Sequence, residues 1–325
     1  MTILAVVSGR MHYVTIDVKG PLMLRTRALA LAALASTTFA LTACGSDSMT
    51  PGGTPTSGSP SALPALTADD ALKAMLPDSV KSSGVIKVGI DPTYAPNEFL
   101  DADGKTVKGM DVDIFNAVAA KLGVKVEYIP AGFDTIILGV TSGKFDAGVS
   151  SFTINAERQK QVNMIQYFSA GTQWITQTGN PKKVDPDNAC GLNIGVQKGV
   201  VQIDDLKARS DKCVAAGKAA INIGIDPDQG KVTAGVVSGK YDAMLADSPV
   251  GLYAAQQTNG QLEAVGNIYD AAPYGFVVAK KETGFADAIS KALTAVNGSG
   301  HYKKALESWG NASGAVTDFP VNPIK

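Results

Sequence analysis

A few polar residues of this chain have the chemistry to hold a small molecule that carries both a positive and a negative charge. In the segment SSFTINAER, residues 150–158, Asn155 is suited to begin a helix, which places Arg158 in the first turn. An arginine can hold a carboxylate through two parallel hydrogen bonds, and a helix amino terminus favours the same negative charge. The hydroxyls of Ser151 and Thr153 can add bonds. The alternative for Arg158 is a solvated side chain on a helix surface.

Asp247 is the candidate partner for the positive charge. It lies in LADSP, after an apolar stretch and before Pro249, which is suited to start a helix. Its ordinary role there would be that of a helix N-cap, whereas a buried, unpaired carboxylate would need a cation. Tyr94 and Phe133 are candidates either for walls around the apolar part of a ligand or for aromatic residues of the core.

Two diverged copies of one pattern indicate which elements position these residues. Residues 139–147 read GVTSGKFDA, and residues 235–243 read GVVSGKYDA. In each copy a glycine, Gly143 or Gly239, stands where a helix would end in a residue with positive φ. A common helix-to-strand turn would explain one such match on its own.

A second pair of similar segments, upstream of the first, favours a true duplication of the structural unit. IKVGID at residues 86–91 corresponds to LNIGVQ at residues 192–197, and both are typical of buried strands that end on a polar residue. In the first copy the apolar spacing predicts a helix from Asp111 to Leu122, ended by Gly123, and then a strand over 124–129. Each half therefore predicts the order strand, helix, strand, helix, strand, which is that of an α/β domain.

This order would place the polar candidates at one edge of each sheet. In open α/β sheets, ligands bind beyond the carboxyl ends of the strands, so two facing lobes would line a cleft with those ends. The residues expected there are Asp91, Ser150 and Ser151 in the first lobe, and Gln197 and Asp247 in the second.

Composition and charge are ordinary for a globular protein. The chain has 325 residues, of which 45% are apolar and 18% charged, with a net charge of −1. Residues 44–325 carry 25 basic and 29 acidic side chains, a net of −4. Nothing in this balance indicates a nucleic-acid partner, and a mildly acidic surface favours solubility.

The start of the chain is typical of an export signal. Arg25 and Arg27 precede an apolar run over 28–41, and the sequence then reads Leu-Thr-Ala-Cys, ending at Cys44. This ending resembles the bacterial lipobox, in which the cysteine is acylated and becomes the mature amino terminus. The alternatives are a cleaved signal with a chance cysteine or an uncleaved anchor. Residues 1–22 fit no part of the signal and are consistent with an upstream start-codon artefact.

The segment that follows has the composition of a flexible tether. Residues 44–66 are rich in Gly, Ser, Thr and Pro, and such a segment cannot bury enough surface to fold. Cys190 and Cys213 remain, and in an oxidising exterior such a pair forms a disulfide more often than a metal site or a nucleophile.

The ordered motifs of the body carry a resemblance to a known family. The stretch GVIKVGIDPTYAPNEFLDADGKTVKGMDVDIFNAVAAKLG, then SSFTINAERQ, LADSPV and GHYKKALESWG, is similar to family-3 solute-binding proteins of polar amino-acid ABC transporters, over residues 84–325. The resemblance implies two Rossmann-like lobes joined by two hinge strands, with the ligand in the cleft between them. The first lobe would comprise 84–178 and 275–325, and the second 179–274.

The same resemblance implies roles for individual residues. Arg158 would bind the α-carboxylate of an amino acid with help from Ser151 and Thr153, and Asp247 would bind the α-ammonium. Tyr94 and Phe133 would flank the ligand's side chain, with Asp91 near the pocket. The ligand is expected to bind one lobe first, after which the other closes on it.

One departure from the family's pattern affects specificity. Where the family usually has hydroxyl residues after the second lobe's first strand, this chain has Gly199, Val200, Val201 and Gln202. Backbone N–H groups there can still serve a carboxylate. Asn97 also replaces the usual apolar residue after Tyr-Ala-Pro.

Catalysis is the main alternative to binding, since cyclohexadienyl dehydratases resemble this fold. Histidine is the commonest general acid or base, yet His12 precedes the expected mature protein and His301 belongs to a lysine-bearing helix. Asp91 or Asp247 could act as acid or base, but a zwitterion site needs carboxylates in any case. No catalytic residue is therefore assigned. A ligand-sensing module is a further alternative, for which no downstream membrane segment is found.

The remaining expectations concern metals, cofactors and partners. Asp101 to Gly104 superficially suggests a calcium loop but lacks the other ligands, so a hairpin turn is predicted. We expect no metal, no cofactor and no nucleic acid. The expected partners are an amino acid, an ABC-transporter permease, and the outer face of the bacterial cytoplasmic membrane through the lipid anchor, with the protein itself a monomer.

Overall fold

The structure is a computed structural model that describes residues 2–7, 10–15 and 63–324. The predicted signal run, Cys44 and most of the predicted tether lie outside these residues. The first part of the chain forms a separate unit, in which β1 (Thr2–Val7) pairs antiparallel with β2 (Arg10–Thr15).

Residues 63–324 alternate strands and helices in the predicted manner. The strands are β3 (Val85–Ile90), β4 (Thr93–Tyr94), β5 (Glu98–Leu100), β6 (Val107–Lys108), β7 (Lys125–Pro130), β8 (Ala147–Thr153), β9 (Val162–Gln177), β10 (Asn193–Gln197), β11 (Asn222–Asp226), β12 (Ala243–Asp247) and β13 (Leu262–Ala279). The helices are α1 (Asp70–Ala74), α2 (Asp78–Ser83), α3 (Met110–Leu122), α4 (Phe133–Thr141), α5 (Ala156–Gln161), α6 (Gln202–Ala215), α7 (Gln229–Val237), α8 (Ser248–Gln257), α9 (Thr283–Gly298) and α10 (His301–Ser308), followed by a 3-10 turn at Ala312–Gly314.

The boundaries follow from local chemistry. Helix α3 begins one residue before the predicted Asp111 and ends where Gly123 adopts φ 68°. Its buried residues Ile114, Phe115, Val118 and Leu122 recur at helical spacing, so one face of the helix packs on the sheet.

One sheet of eight strands runs through both halves of the body, in the order β11-β10-β12-β9-β13-β8-β3-β7. Strands β3, β7 and β8 are parallel and form the first lobe, and β10, β11 and β12 are parallel and form the second. The long strands β9 and β13 run antiparallel between them, and β12 pairs with the far end of β9. The fold is therefore α/β, with two Rossmann-like lobes joined by two strands.

Both lobes contain the same order of elements, as the repeat predicted. The first runs β3, α3, β7, α4, β8, with the small β4–β6 sheet inserted after β3, and the second runs β10, α6, β11, α7, β12. Each parallel sheet carries an apolar cluster on both faces, which is the usual burial of parallel strands.

The repeated GK-aromatic-DA motif has one packing role in both lobes. Its aromatic residue, Phe145 or Tyr241, is buried against glycines that leave room for the ring. A Cβ atom on any of these glycines would lie 2.4–2.5 Å from a ring carbon: Gly89 and Gly139 beside Phe145, Gly195 and Gly235 beside Tyr241. The motif therefore fastens the helix before it to the first strand of its own lobe.

The following aspartate repeats as well. Asp146 accepts a hydrogen bond from Lys87 N and Asp242 accepts one from Asn193 N, both at 2.8 Å, so each aspartate binds the first strand of its own lobe. Gly143 and Gly239 adopt φ 80° and 77° after their helices, as predicted. The two halves are thus structural copies.

The predicted disulfide and the predicted hairpin are both confirmed. Cys190 and Cys213 are bonded, which ties α6 to the loop before β10. In the hairpin between β5 and β6, Asp101 pairs with Lys108 at 2.6 Å and Asp103 accepts from Thr106 N at 2.8 Å. Both carboxylates thus serve the turn.

Reducing the Cys190–Cys213 disulfide, or replacing both cysteines with serine, is expected to destabilise the second lobe. The bond closes a loop with a sequence separation of 23 residues, for which chain entropy predicts about 3 kcal/mol. Chemical denaturation of wild type and double variant measures the loss. The ligand affinity is expected to stay within about threefold, because neither cysteine lines the cavity described below. An unchanged free energy of unfolding would contradict this prediction.

No helix in the part of the chain that the structure describes is long and apolar enough to span a membrane.

Candidate ligand-binding site

A small cavity lies between the two lobes at the carboxyl ends of their strands. Eight of the thirteen predicted ligand-binding residues line it: Tyr94, Phe133, Ser151, Thr153, Arg158, Val200, Gln202 and Asp247. The open space among them is about 10 Å³, roughly that of one water-sized probe. The lobes are therefore closed on this site, and its polar side chains are bonded to one another.

Arg158 reaches across from the first lobe to the second. Asn155 caps α5 by accepting from Arg158 N at 2.8 Å, as predicted, which places the arginine in the first turn. Its guanidinium donates to Thr153 O at 2.7 Å and to Gly199 O at 3.0 Å. It lies 5.3 Å from the ring centroid of Phe133 and is only 9% exposed. Burial lowers the pKa of Arg158 to about 10, so it remains charged at neutral pH.

Asp247 ends β12 and precedes α8, but its side chain makes no capping bond to that helix. Its carboxylate instead accepts from Tyr94 OH at 2.9 Å and from Gln202 Nε2 at 2.7 Å. The side chain is 6% exposed, and this burial raises the pKa of Asp247. The ordinary N-cap alternative is thus excluded by the geometry.

Arg158 and Asp247 are two buried, opposite charges that do not pair with each other. Within residues 63–324, no carboxylate lies within 4.0 Å of the Arg158 guanidinium, and no basic side chain lies within 4.0 Å of Asp247. Each forms hydrogen bonds only with neutral groups and is favoured by the other charge only at a distance, which compensates a buried charge incompletely. A bound group carrying an anion at one end and a cation at the other would complement both.

Five predicted residues lie beside the cavity rather than on its wall: Asp91, Ser150, Gln197, Gly199 and Val201. Asp91 accepts from Phe133 N at 3.1 Å and from Gln197 Nε2 at 2.8 Å, which joins the first strand of each lobe across the cleft. Burial raises the pKa of Asp91 to about 6. Gly199 contributes its carbonyl to Arg158, and Val201 precedes the first turn of α6.

The hydroxyl of Ser151 points into the first lobe instead of across the cleft. Ser151 adopts φ 51°, an unusual conformation for a residue other than glycine. Its Oγ accepts from Asn97 Nδ2 at 2.9 Å and donates to Asp111 Oδ2 at 3.1 Å. Help from this hydroxyl toward a carboxylate therefore remains a prediction, for which the side chain would have to turn.

The departure from the family pattern gives the cleft an apolar contact. Val200 is half-buried and packs on apolar clusters of both lobes, including Phe133. Gln202, the first residue of α6, is buried and donates to Asp247 and to Thr172 Oγ1. Thus Val200 packs between the lobes, while Gln202 orients the acidic residue.

Some contacts across the cleft could not be predicted from the sequence. Lys198 pairs with Asp134 of the other lobe at 2.8 Å, although 57% of the lysine side chain is exposed. Gln229 N donates to Thr93 Oγ1 at 3.2 Å. Two neighbouring acids, Glu98 and Asp111, are also fully buried beneath the cavity wall, and nothing in their spacing distinguishes them from surface acids.

The chain is similar in sequence to a known family of binding proteins. The sequence profile of the bacterial extracellular solute-binding proteins, family 3, matches residues 86–312. The chain belongs to this family. Among family-3 and related proteins, the chain is similar to the arginine-binding protein ArgT of Corynebacterium glutamicum, with 34% identity over 252 residues, covering 77% of this chain and 82% of ArgT.

A solved structure gives the same fold. An ancestral arginine-binding protein bound to arginine superposes with a TM-score of 0.65 at 33% identity, covering 70% of this chain and 98% of that protein. A cyclohexadienyl dehydratase of Pseudomonas aeruginosa is 27% identical over 172 residues, covering 53% of this chain and 62% of the enzyme. The binding proteins are therefore the nearer of these relatives to this family-3 chain.

Proposed function

We propose that this solute-binding protein captures an amino acid outside the cytoplasm and delivers it to the permease of an ABC importer. The observation that carries the proposal is the pair of buried, unpartnered opposite charges in one interlobe cavity, Arg158 and Asp247. An α-amino acid carries its carboxylate and its ammonium on one carbon. The arginine suits the carboxylate because its guanidinium can donate two parallel bonds, and Asp247 suits the ammonium.

We further propose that the ligand's side chain is cationic, with L-arginine the first candidate. Asp91 is a second buried acid at the cleft, it has no basic partner within 4.0 Å, and its neighbour Phe133 lines the cavity. A guanidinium arriving there would supply the missing countercharge. Two of the similar proteins are named as arginine-binding, which supports the same choice.

Entry of the ligand requires the lobes to separate, because the closed cavity has room for about one water molecule. We propose that β9 and β13 bend near Gly171, where the register between β9 and β13 shifts and β12 begins to pair with the other edge of β9. The bonds from Arg158, Lys198 and Gln197 across the cleft would break on opening. The lobe boundaries of the sequence analysis, 84–178 with 275–325 and 179–274, belong to this proposal.

The proposal also includes the attachment of the protein to the membrane. Acylation of Cys44 would anchor it to the outer face of the cytoplasmic membrane, and residues 44–66 would be the tether. We propose that the body is a monomer and is not an enzyme. The one histidine of residues 63–324, His301, bonds Ser299 and does not line the cavity.

Calorimetric titration with L-arginine and three analogues tests the ligand assignment. Agmatine lacks the carboxylate, Nα-acetyl-arginine lacks the ammonium and citrulline lacks the side-chain charge. We expect one-to-one binding of L-arginine and weaker binding of each analogue by about 30-fold or more, since each leaves one buried charge unpaired. A folded protein that binds none of the common L-amino acids would overturn the amino-acid assignment, whereas equal binding of citrulline would overturn only the cationic side chain.

Replacing Asp91 with asparagine is expected to erase the preference for arginine over citrulline. Removing the carboxylate should weaken arginine binding by about 30-fold or more and leave citrulline within about threefold, because only arginine carries the opposing charge. In the wild type, arginine affinity should fall as the pH drops through about 6, where Asp91 becomes protonated. Asp134→Asn is the matched control, because it removes a cleft carboxylate that pairs with Lys198 instead. An undiminished preference in Asp91→Asn would place the side chain elsewhere.

A further inference from the structure

Two buried acidic residues lie under the wall of the binding cavity and take no part in the contacts proposed above. Glu98 begins β5 and Asp111 lies in the first turn of α3, and both side chains are fully buried. They lie beneath Ser150 and Ser151, the two serines of β8 where the wall is formed. A buried acid that binds no ligand needs an explanation, because it is costly in its ionised form.

The donors around Asp111 all converge on one of its two oxygens. Oδ2 accepts from Ser151 N at 3.0 Å, from Ser151 Oγ at 3.1 Å and from the hydroxyl of Tyr167. Its Oδ1 is buried without any donor from nitrogen or hydroxyl. Three donors on one oxygen are the environment of an ionised carboxylate, so Asp111 carries the negative charge and Oδ1 still needs a proton donor.

Glu98 is the neighbour that can supply this proton. Its Oε1 accepts from Ser150 Oγ at 3.0 Å, and its Oε2 lies 3.4 Å from Ser151 Oγ. No lysine, arginine or histidine of residues 63–324 lies within 4.0 Å of Glu98 or Asp111. Two adjacent buried acids without a cation cannot both ionise at neutral pH, and one proton between them satisfies both.

We propose that Glu98 and Asp111 hold one proton between them and that this pair fixes the backbone of Ser150 and Ser151 beside the binding cavity. The proposal rests on the proposed function, since it assigns the pair a role at that same site. Asp111 holds Ser151 in its φ 51° conformation through both the backbone N–H and the hydroxyl. Glu98 holds Ser150, whose Oγ accepts from Asp91 N at 3.1 Å. The pair thus supports both the cavity wall at Ser151 and Asp91, the residue proposed to bind the ligand's side chain.

Asn97 fixes the direction of the hydrogen bonds around Ser151. It is one of the residues in which this chain departs from its family's pattern. Its Nδ2 donates to Ser151 Oγ at 2.9 Å, so the single proton of that hydroxyl is free to be donated to the acids. The backbone of residues 96 and 97 also accepts from the first two N–H groups of α3, which holds Asp111 at the helix start. Glu98 and Asp111 are therefore positioning residues, since neither lines the cavity.

A fall in pH is expected to increase the stability that Glu98 provides and to decrease the affinity for the ligand. The titratable groups that face the pair are Asp91, Tyr94, Tyr128 and Tyr167, all acids, and burial and Asp111 raise the pKa of Glu98. Stability that protonated Glu98 provides is full at low pH and is lost as the pH rises through this raised pKa. Protonation of Asp91 and Asp247, in contrast, would weaken ligand binding as the pH falls.

The decisive comparison is Glu98→Gln against Glu98→Ala. Glutamine places a permanent N–H donor where the shared proton lies and keeps an acceptor for Ser150, so L-arginine affinity should remain within about threefold of wild type. Alanine leaves Asp111 Oδ1 without a donor and the Ser150 hydroxyl without its acceptor, and affinity should fall by about tenfold or more. Loss in Glu98→Gln equal to that in Glu98→Ala would overturn the shared proton, and full binding by Glu98→Ala would overturn the positioning role.

A second readout needs no ligand and separates this proposal from the proposed function. Infrared difference spectra should show a protonated carboxylic acid C=O band at pH 7 that disappears in Glu98→Gln and persists in the exposed control Glu127→Gln. The unfolding free energy of Glu98→Gln should exceed that of wild type increasingly as the pH rises above the ordinary pKa of glutamate. An absent band, or a stability difference that does not change with pH, would overturn the shared proton even if the protein bound no amino acid at all.

Discussion

Replacing Arg158 with alanine is expected to weaken L-arginine binding by about 100-fold or more, roughly 3 kcal/mol. The guanidinium is the one buried cation on the cavity wall, and no other basic residue lines that wall. Its loss would leave the ligand's carboxylate desolvated beside the ring of Phe133 and the side chain of Val200. Isothermal titration calorimetry of the wild type and the variant measures the change.

Two control variants separate the carboxylate contact from general effects on the fold. Lys160→Ala removes a cation from the same helix, but that side chain is 70% exposed and should leave the affinity unchanged. Arg158→Lys keeps a charge without the planar pair of donors, so an intermediate loss is expected. Agmatine has no carboxylate, so its binding should be equally weak in wild type and Arg158→Ala. A variant that binds L-arginine as the wild type does would remove Arg158 from the site.

Replacing Asp247 with asparagine is expected to produce a similar loss of affinity, also about 100-fold. The carboxylate now accepts from Tyr94 OH and Gln202 Nε2, and it can offer its negative charge to an ammonium. Asparagine removes the charge and turns a donor toward one of those two partners. Nα-acetyl-arginine lacks the ammonium, so the same substitution should weaken its binding much less than it weakens binding of L-arginine.

The stability of this variant without ligand should move in the opposite direction from its affinity. Burial raises the pKa of Asp247, so the protonated form stabilises the fold at low pH and this contribution is lost as the pH rises. Ionising this buried carboxyl group costs free energy that asparagine does not require. We expect the variant to melt no lower than the wild type, as measured by calorimetry in the absence of amino acids. A lower melting temperature together with weak binding would instead indicate a structural role for Asp247.

The charged residues of the site have no partners of opposite charge in contact with them in the closed form without ligand. Arg158 bonds two backbone carbonyls, and Asp91 and Asp247 bond amides and a hydroxyl. A zwitterion with a cationic side chain would exchange each of these neutral contacts for one of opposite charge. The affinity then derives from electrostatic groups held ready by the fold, while closure depends on contacts such as Lys198–Asp134 and Val200.

The sequence alone was sufficient for the architecture and for the ends of the candidate site. The two copies of GK-aromatic-DA and the two buried strands predicted paired α/β lobes, because each motif is a local signal of a helix ending and a strand beginning. Arg158 was placed by the N-cap at Asn155, three residues away. The strand order placed Ser151 and Asp247 at carboxyl ends of strands in the two lobes, and both line the same cavity.

Only the tertiary structure decided where the polar groups of this site point and which of them are buried. Ser151 turns its hydroxyl toward Asp111 and Asn97, which lie 40 and 54 positions away in the chain. In the sequence, Glu98 and Asp111 cannot be distinguished from ordinary surface acids. They become buried only because β5, α3 and β8 pack together in the folded chain. Local patterns determine where elements begin and end, since those signals lie within a few residues. Burial and hydrogen-bond partners depend on segments far apart in the sequence, and these meet only in the folded chain.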